Sequence, residues 1–446
     1  MPRARKESRI RVSPELPGGF RDYGPSEAIA RAKILEKIRK TFEDFGFDPM
    51  ETPAVERTEV LTGGEKESQK IIFNVRGSRE KSSGKAQDSL RFDLTVPLAR
   101  FLAANPEIPK PFKRYQIGSS WRGESPQIGR YREFLQADVD IVGTSSIEAD
   151  SEVIVVIYSV FKNLGIERFI INIGNRKVLN GLPNFAQFPE QKLFPVLRVI
   201  DKTDKIGKEE VKKELEKLVG KKPTAKIFEF LSISGEARAK LQGARELLGE
   251  IAVSEEGIRE LEEIAENLTV SGVNPMNWQF NFYTVRGLGY YTGTVFETFL
   301  NDLPEIGSVA SGGRYDNLLI PFTGQKIPAV GVSVGVDRLF AALEKLGTLK
   351  KKATTTRVLI FNLSPRLKAE YLGFAKLLRE ANINTALYLG DDRAFGAQLS
   401  YAVKKEIPYV VIYGEEEKRK GTITVRNMVS REQKEISKKD LIEYLK

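Results

Sequence analysis

The chain contains no cysteine and no histidine in its 446 residues. The absence of cysteine excludes disulfides, thiol nucleophiles and thiolate metal sites, and it fits a reducing compartment. The absence of histidine excludes the usual zinc sites and the Ser-His-Asp triad. It also removes the only side chain that titrates, unperturbed, between pH 5 and 8. Any chemistry must rest on arginine and lysine electrostatics, carboxylates, tyrosine, backbone dipoles, or groups brought by a substrate. Phosphoryl or nucleotidyl transfer, where positioning and charge stabilisation dominate, suits that inventory. No run of residues is long and apolar enough for a transmembrane helix. The first twelve residues carry five basic side chains around no apolar centre, unlike a secretory signal. No G-x-x-x-x-G-K-[ST] phosphate loop occurs anywhere.

What is present is a globular composition, 41% hydrophobic and 29% charged, long enough for two or three domains. The net charge of +10 hints at a polyanionic partner such as nucleic acid. Residues 26–45 place Ile29, Ala32, Ile34, Leu35, Ile38 and Phe42 along one helical face. "FDPMETPAVE" follows, and its Pro49 and Pro53 suit an edge or interface strand. "LRFDLTVPLARFL" enters a helix near Pro97.

Residues 112–143 predict a long hairpin. At period two, Arg114, Gln116, Arg122 and Glu124 share a face of the first arm, and Phe134, Gln136, Asp138 and Asp140 a face of the second. So many charged and amide groups within mutual reach exceed what solubility needs. Residues 151–164 predict a helix and 168–174 a strand. From about 177 to 270 the chain is helical and highly charged, an insertion into an α/β pattern.

"VRGLGYYTGTVFET" (285–298) spaces Gly287, Gly289 and Gly293 as G-x-G-x-x-x-G, one residue too many for a dinucleotide fingerprint, and a strand follows it where that fingerprint requires a helix. "GVSVGVDRLFAALEKL" runs from strand to helix with Arg338 at the helix start, a misplaced cation unless an anion shares the site. Residues 347–356 read as a linker, and a βαβαβ pattern beyond them predicts a small α/β binding module.

In this order the segments resemble the histidyl-tRNA synthetase family of class II aminoacyl-tRNA synthetases over nearly the whole chain. "FDPMETPAVE" is similar to its motif 1, "FKRYQIGSSWRGESPQIGRYREFLQADVDIVG" to motif 2 and "GVSVGVDRLF" to motif 3. "VRGLGYYTGTVFE" and "SGGRYDNLL" resemble its two histidine-specific signatures. The resemblance implies an α/β (α+β) fold: a class II antiparallel-sheet catalytic domain over 1–346 with the helical insertion, then an α/β anticodon-binding domain over 357–446. It implies ligation of L-histidine to tRNA(His) with ATP and Mg2+, by a cytoplasmic homodimer with Pro53 at its interface and no membrane association. A non-catalytic relative, the regulatory subunit of ATP-phosphoribosyltransferase, is the alternative, but such proteins lack the anticodon-binding domain.

Roles transfer by matching positions. Arg122 and Arg286 would clamp the ATP α-phosphate around the attacking carboxylate, Arg338 would hold the γ-phosphate, and Glu124 would orient the adenine end. Asp93, Thr95 and Gln136 would receive the α-amino group. Asp140, Tyr290 and Tyr291 would line the imidazole pocket, with the signature glycines letting the substrate lie against backbone. Gln127, Arg130 and Arg132 are assigned to the tRNA acceptor end, and the two arginines also to ATP. Two positions depart from the family. Gly289 stands where aspartate is usual, which either weakens histidine binding or is made good by water or Asp140. Ser125 replaces a frequent arginine and takes away one expected contact to the acceptor end.

Overall fold

The hairpin read from residues 112–143 forms two neighbouring strands of a large sheet, next to one of its edges. The computed structural model describes residues 12–63, 71–77, 87–127, 129–285 and 291–446. It divides into two compact units, one built mainly from residues 34–348 and the other from 22–33 with 349–446.

The large sheet of the first unit is made of β1 (Asp48–Pro49), β2 (Phe112–Trp121), β3 (Glu133–Val142), β4 (Phe169–Asn175), β5 (Trp278–Phe280), β6 (Thr294–Leu300), β7 (Ala310–Arg314) and β8 (Ala329–Gly335), and Val55–Arg57, Asn74–Val75 and Asp88–Leu90 form a small separate sheet. The order in the large sheet is β1-β2-β3-β8-β7-β6-β4-β5. Only β1–β2 and β4–β5 pair in parallel. The proline-containing β1 therefore takes an edge, where a missing N–H leaves no ladder bond unmade.

Alternation in β3 sorts its side chains to two faces. Ala137, Val139 and Ile141 are buried on one, and Gln136, Asp138 and Asp140 on the other. The polar face is no wet surface: its partners on β2, Arg114 and Gln116, are 0% and 2% exposed. Helix α1 (Ile147–Leu164) packs against β7 and β8, and α2 (Val336–Lys345) against β3 and β8. Helix α1 begins four residues before the sequence pattern indicates. Its first turn holds Asp150, fully buried in an ion pair with Arg314 of β7, while the Arg314 guanidinium also donates to the Thr144 and Ser146 carbonyls at 3.0 Å.

The highly charged stretch is helical and is inserted between β4 and β5, strands that nonetheless pair directly, Ile171 with Trp278. Lys208–Val219, the most charged of its helices, buries only Val211 and Leu215, one turn apart, and solvates the rest. Helix Pro25–Asp44 buries Ala30, Ile34, Ile38 and Phe42. Ala32, expected on that seam, is exposed.

The second unit carries a five-stranded sheet whose first three strands in chain order, Val358–Ile360, Thr385–Leu387 and Tyr409–Ile412, pair in parallel. Thr422–Asn427 and Gln433–Ser437 extend it antiparallel. Helices Lys368–Glu380 and Phe395–Lys404 make the crossovers, as the βαβαβ reading requires. Among the described residues no helix is long and apolar enough to cross a membrane.

Candidate active site

The polar face of β3 continues across the sheet. Register places Asp138 opposite Gln116 of β2 on one side and Ser333 of β8 on the other, and Ser333 opposite Ser311 of β7. One pleat along, Arg114 faces Asp140, which faces Gly331. Above this floor lies a cavity of about 450 Å³. Asp93, Thr95, Arg122, Glu124, Arg130, Gln136, Tyr291 and Arg338, eight side chains singled out from sequence, all line it.

Local structure explains why each is there. Arg91 is buried and donates to the Ser119 carbonyl at 2.8 Å and the Thr52 carbonyl at 2.6 Å, tying the segment before Asp93 to β2 and to the stretch that follows β1. Gly118 makes that possible, because a Cβ there would collide with the Arg91 guanidinium. Asp93 then accepts from the Val96 amide at 3.1 Å, at the start of helix Thr95–Ala104. Burial raises the Asp93 pKa, opposed by that amide and by Arg122.

Arg122 lies just past the end of β2. Its Nε donates to the Phe92 carbonyl at 3.0 Å and its guanidinium stacks 5.0 Å from the Phe134 ring centroid. Arg338 does not turn away to water. It donates to the Ser308 carbonyl from the first turn of α2, at the cavity wall. Gly129 closes over it with φ +70°, its position for a Cβ only 3.1 Å from Arg338 Cα. In the same turn, Asp337 accepts from the Leu135 amide at 2.6 Å and fastens α2 to β3.

Tyr291 enters beside β6 against Gly313, where a Cβ would come within 2.9 Å of its ring. Burial, then the Asp140 and Asp138 carboxylates, raise its phenol well above the ordinary value, so it is a hydroxyl donor at neutral pH. Asp140 is one pleat deeper than the cavity lining. Its carboxylate pairs with Arg114 at 2.6 Å and accepts from the Tyr315 hydroxyl. Burial raises its pKa, and Arg114 and Tyr315 oppose that. The carboxylate that does line the cavity from this region is Asp138, which the sequence reading placed on the right face without a role.

Gln127 and Arg132 stand outside the cavity. Gln127 forms a backbone bridge with Arg130. Arg132 donates to the Gly18 carbonyl at 3.1 Å and lies against Gly19, which adopts φ +87°. Gly293 abuts the Arg314 side chain, so its lack of a Cβ serves packing within the protein. Arg286, Tyr290, Gly287 and Gly289 lie outside the described residues. Ser333 and Ser311 were also missed from sequence. Ser333 was detectable as the one polar residue in the apolar run of β8.

Gly331 gives the Asp140 carboxylate its space, since a Cβ there would collide with Asp140 Oδ1. Gly331→Ala is expected to cost about 1–3 kcal/mol through overpacking. Tryptophan fluorescence during urea unfolding checks this for the first unit alone, because Trp121 and Trp278, the only two tryptophans, both belong to it.

An antiparallel sheet flanked by helices, with arginines and carboxylates gathered over one face and a separate α/β unit after it, is the architecture of class II aminoacyl-tRNA synthetases. The family model described as histidyl-tRNA synthetase matches residues 19–339, and that of an anticodon binding domain matches 357–446. The chain is 43% identical over 436 residues to histidine–tRNA ligase of Helicobacter hepaticus, covering 94% of this chain and 95% of that one. It is 40% identical over 444 residues to the enzyme of the same name from Clostridium tetani, covering 98% of each. The crystal structure of histidyl-tRNA synthetase from Nostoc sp. PCC 7120 superposes with a TM-score of 0.87 at 34% identity, over 98% of this chain and 99% of that one. The chain belongs to the histidyl-tRNA synthetase family.

Proposed function

We propose that the chain is a histidine–tRNA ligase that activates L-histidine with ATP and transfers it to the 3′ end of tRNA(His). The observation that carries this reading is that one cavity gathers guanidinium groups able to bind phosphates with acids, an amide and a phenol able to bind an amino acid. In the first step the histidine carboxylate attacks the α-phosphorus in line, and pyrophosphate leaves. Arg122, with Arg286, stabilises charge developing on the α-phosphate, Arg338 holds the γ-phosphate, and Glu124 orients the adenine. Thr95, Gln136 and Asp93 form the amino-group side. Tyr291 and Tyr290 address the ring, with Asp140 acting on the Tyr291 phenol from the layer beneath.

In the second step the terminal ribose hydroxyl of tRNA attacks the adenylate carbonyl, releasing AMP, and a phosphate oxygen accepts the proton. None of these steps needs an enzyme imidazole. Mg2+ carried with ATP would supply charge neutralisation on the phosphates. Residues 357–446 form the anticodon-binding domain, with 347–356 as its tether to a catalytic domain over 1–346. Arg130 is placed to meet the tRNA acceptor end or ATP, while Gln127 and Arg132 would act from outside the cavity. The working form is a cytoplasmic homodimer with Pro53 at its interface.

The regulatory-subunit reading is disfavoured by the anticodon-domain match and by Arg122 and Arg338 at the cavity. The test is pyrophosphate exchange into ATP with each of the twenty amino acids in turn. Exchange with histidine alone is expected. A folded protein that exchanges with none of them would return the regulatory reading, and activity restored by Gly289→Asp would show an intact but incomplete pocket.

A further inference from the structure

The loop between β2 and β3 supplies much of one cavity wall: Glu124, Gly129, Arg130 and Tyr131 all line it. A short strap from earlier in the chain, Gly18–Arg21, holds the returning end of that loop. The Arg132 amide donates to the Gly19 carbonyl at 2.8 Å, and the Arg132 guanidinium donates to the Gly18 carbonyl at 3.1 Å and the Glu124 carbonyl at 3.4 Å. Arg21 Nη1 donates to the Tyr131 hydroxyl at 2.9 Å. Gly19 has to be glycine on two counts. Its φ is +87°, and a Cβ there would lie 2.8 Å from Arg132 Cγ. One residue earlier, a Cβ on Gly18 would meet nothing within 4 Å.

Arg21 reaches further than the loop. Its Nη2 lies 4.0 Å from Glu344 Oε2 near the end of α2, the helix whose first turn presents Arg338 to the cavity. The guanidinium therefore stands between the two elements assigned to ATP, the loop with Glu124 and the helix with Arg338. The histidine side of the cavity has other supports: Asp93 and Thr95 at the start of helix Thr95–Ala104, and Gln136 on β3. The Arg21 and Glu344 side chains are 26% and 35% exposed, so solvent screens the pair and it adds little stability. What the contacts supply is placement. A wall tied down before the ligand arrives costs less to order on binding.

We propose that Arg21 is a positioning residue for the nucleotide: acting through the Tyr131 hydroxyl, it braces the Glu124–Tyr131 wall and preorganises the ATP side of the cavity, leaving the histidine side untouched. This deepens the ligase reading and rests on the ATP assignments made there.

The test is calorimetric titration of the full-length protein with ATP and magnesium, and separately with L-histidine. Arg21→Met removes the donors and keeps the apolar stem, Arg21→Lys keeps the charge and a donor, and Tyr131→Phe removes only the acceptor. Arg21→Met is expected to weaken ATP ~5–20-fold, about the worth of one hydrogen bond, and histidine less than ~2-fold. In exchange assays KM for ATP should rise by the same factor, with kcat at saturating ATP and KM for histidine within about twofold of wild type. Arg21→Lys should recover part of the loss. Tyr131→Phe should weaken ATP comparably, and adding Arg21→Met to it should cost less than ~2-fold more, because the bond is already gone. Gly19→Ala should shift ATP the same way, while Gly18→Ala stays at the wild-type value. Unchanged ATP affinity in Arg21→Met, equal weakening of ATP and histidine, or fully additive losses in the double variant each overturn the proposal. Failure of the underlying reading shows separately, in the wild-type protein: if that binds no ATP, the nucleotide assignment falls and the role of Arg21 with it.

Discussion

Replacing Arg122 by alanine is expected to lower histidine-dependent pyrophosphate exchange ~10²–10³-fold, mostly in kcat, with KM for histidine within about threefold of wild type. The guanidinium reaches the cavity from the end of β2, steadied by the Phe92 carbonyl and the face of Phe134. A donor held in place before charge develops stabilises the transition state without reorganising. Loss of one such donor typically carries this penalty. Arg122→Lys keeps the charge but loses the planar fork, so only part of the rate should return. Thermal unfolding should be little changed, because Arg122 is part-exposed and, among the described residues, holds no carboxylate within ion-pair distance, acting on Asp93 only through its charge. An Arg122→Ala enzyme within tenfold of wild type would place the burden of α-phosphate stabilisation on Arg286 alone.

Replacing Arg114 by methionine should destabilise the first unit by about 3–5 kcal/mol, the cost of leaving a buried acid without its partner. Arg114 is fully buried and is paired at 2.6 Å with Asp140, itself 2% exposed, and Asp138 lies one pleat away. Removing the cation leaves Tyr315 as the remaining support of Asp140. The double change Arg114→Met with Asp140→Asn should recover much of the loss, since the buried charge then disappears with its partner. Urea titrations followed by tryptophan fluorescence decide the matter. A single-variant loss below ~1 kcal/mol would mean that the pair contributes little net stability and Asp140 tolerates its loss by taking up a proton.

The parts of the fold set by local periodicity were readable in the sequence. The hairpin at 112–143, the strand after the glycine-rich signature and the βαβαβ unit all follow from alternation at period two or 3.6. The start of α1 was not readable, because Asp150 is fixed there by Arg314, 164 residues later in the chain. The same limit applies to the site. Period two put Gln136, Asp138 and Asp140 on one face, but it could not say which reaches open space and which lies below it. That depends on Arg114 from β2, Tyr315 after β7 and the gap left by Gly331 in β8, a three-way meeting of distant segments. Arg338 was legible for an electrostatic reason: a cation in the first turn of a helix needed a neighbouring explanation, and the cavity supplies one.

The cavity is walled by carboxylates, guanidinium groups, hydroxyls, an amide and phenols, and the chain supplies no imidazole to it or anywhere else. In a binary complex with histidine, every imidazole resonance in an NMR spectrum therefore belongs to the ligand. The tautomer and charge of the bound ring can be followed directly through a pH titration, without isotope editing against a background of protein histidines.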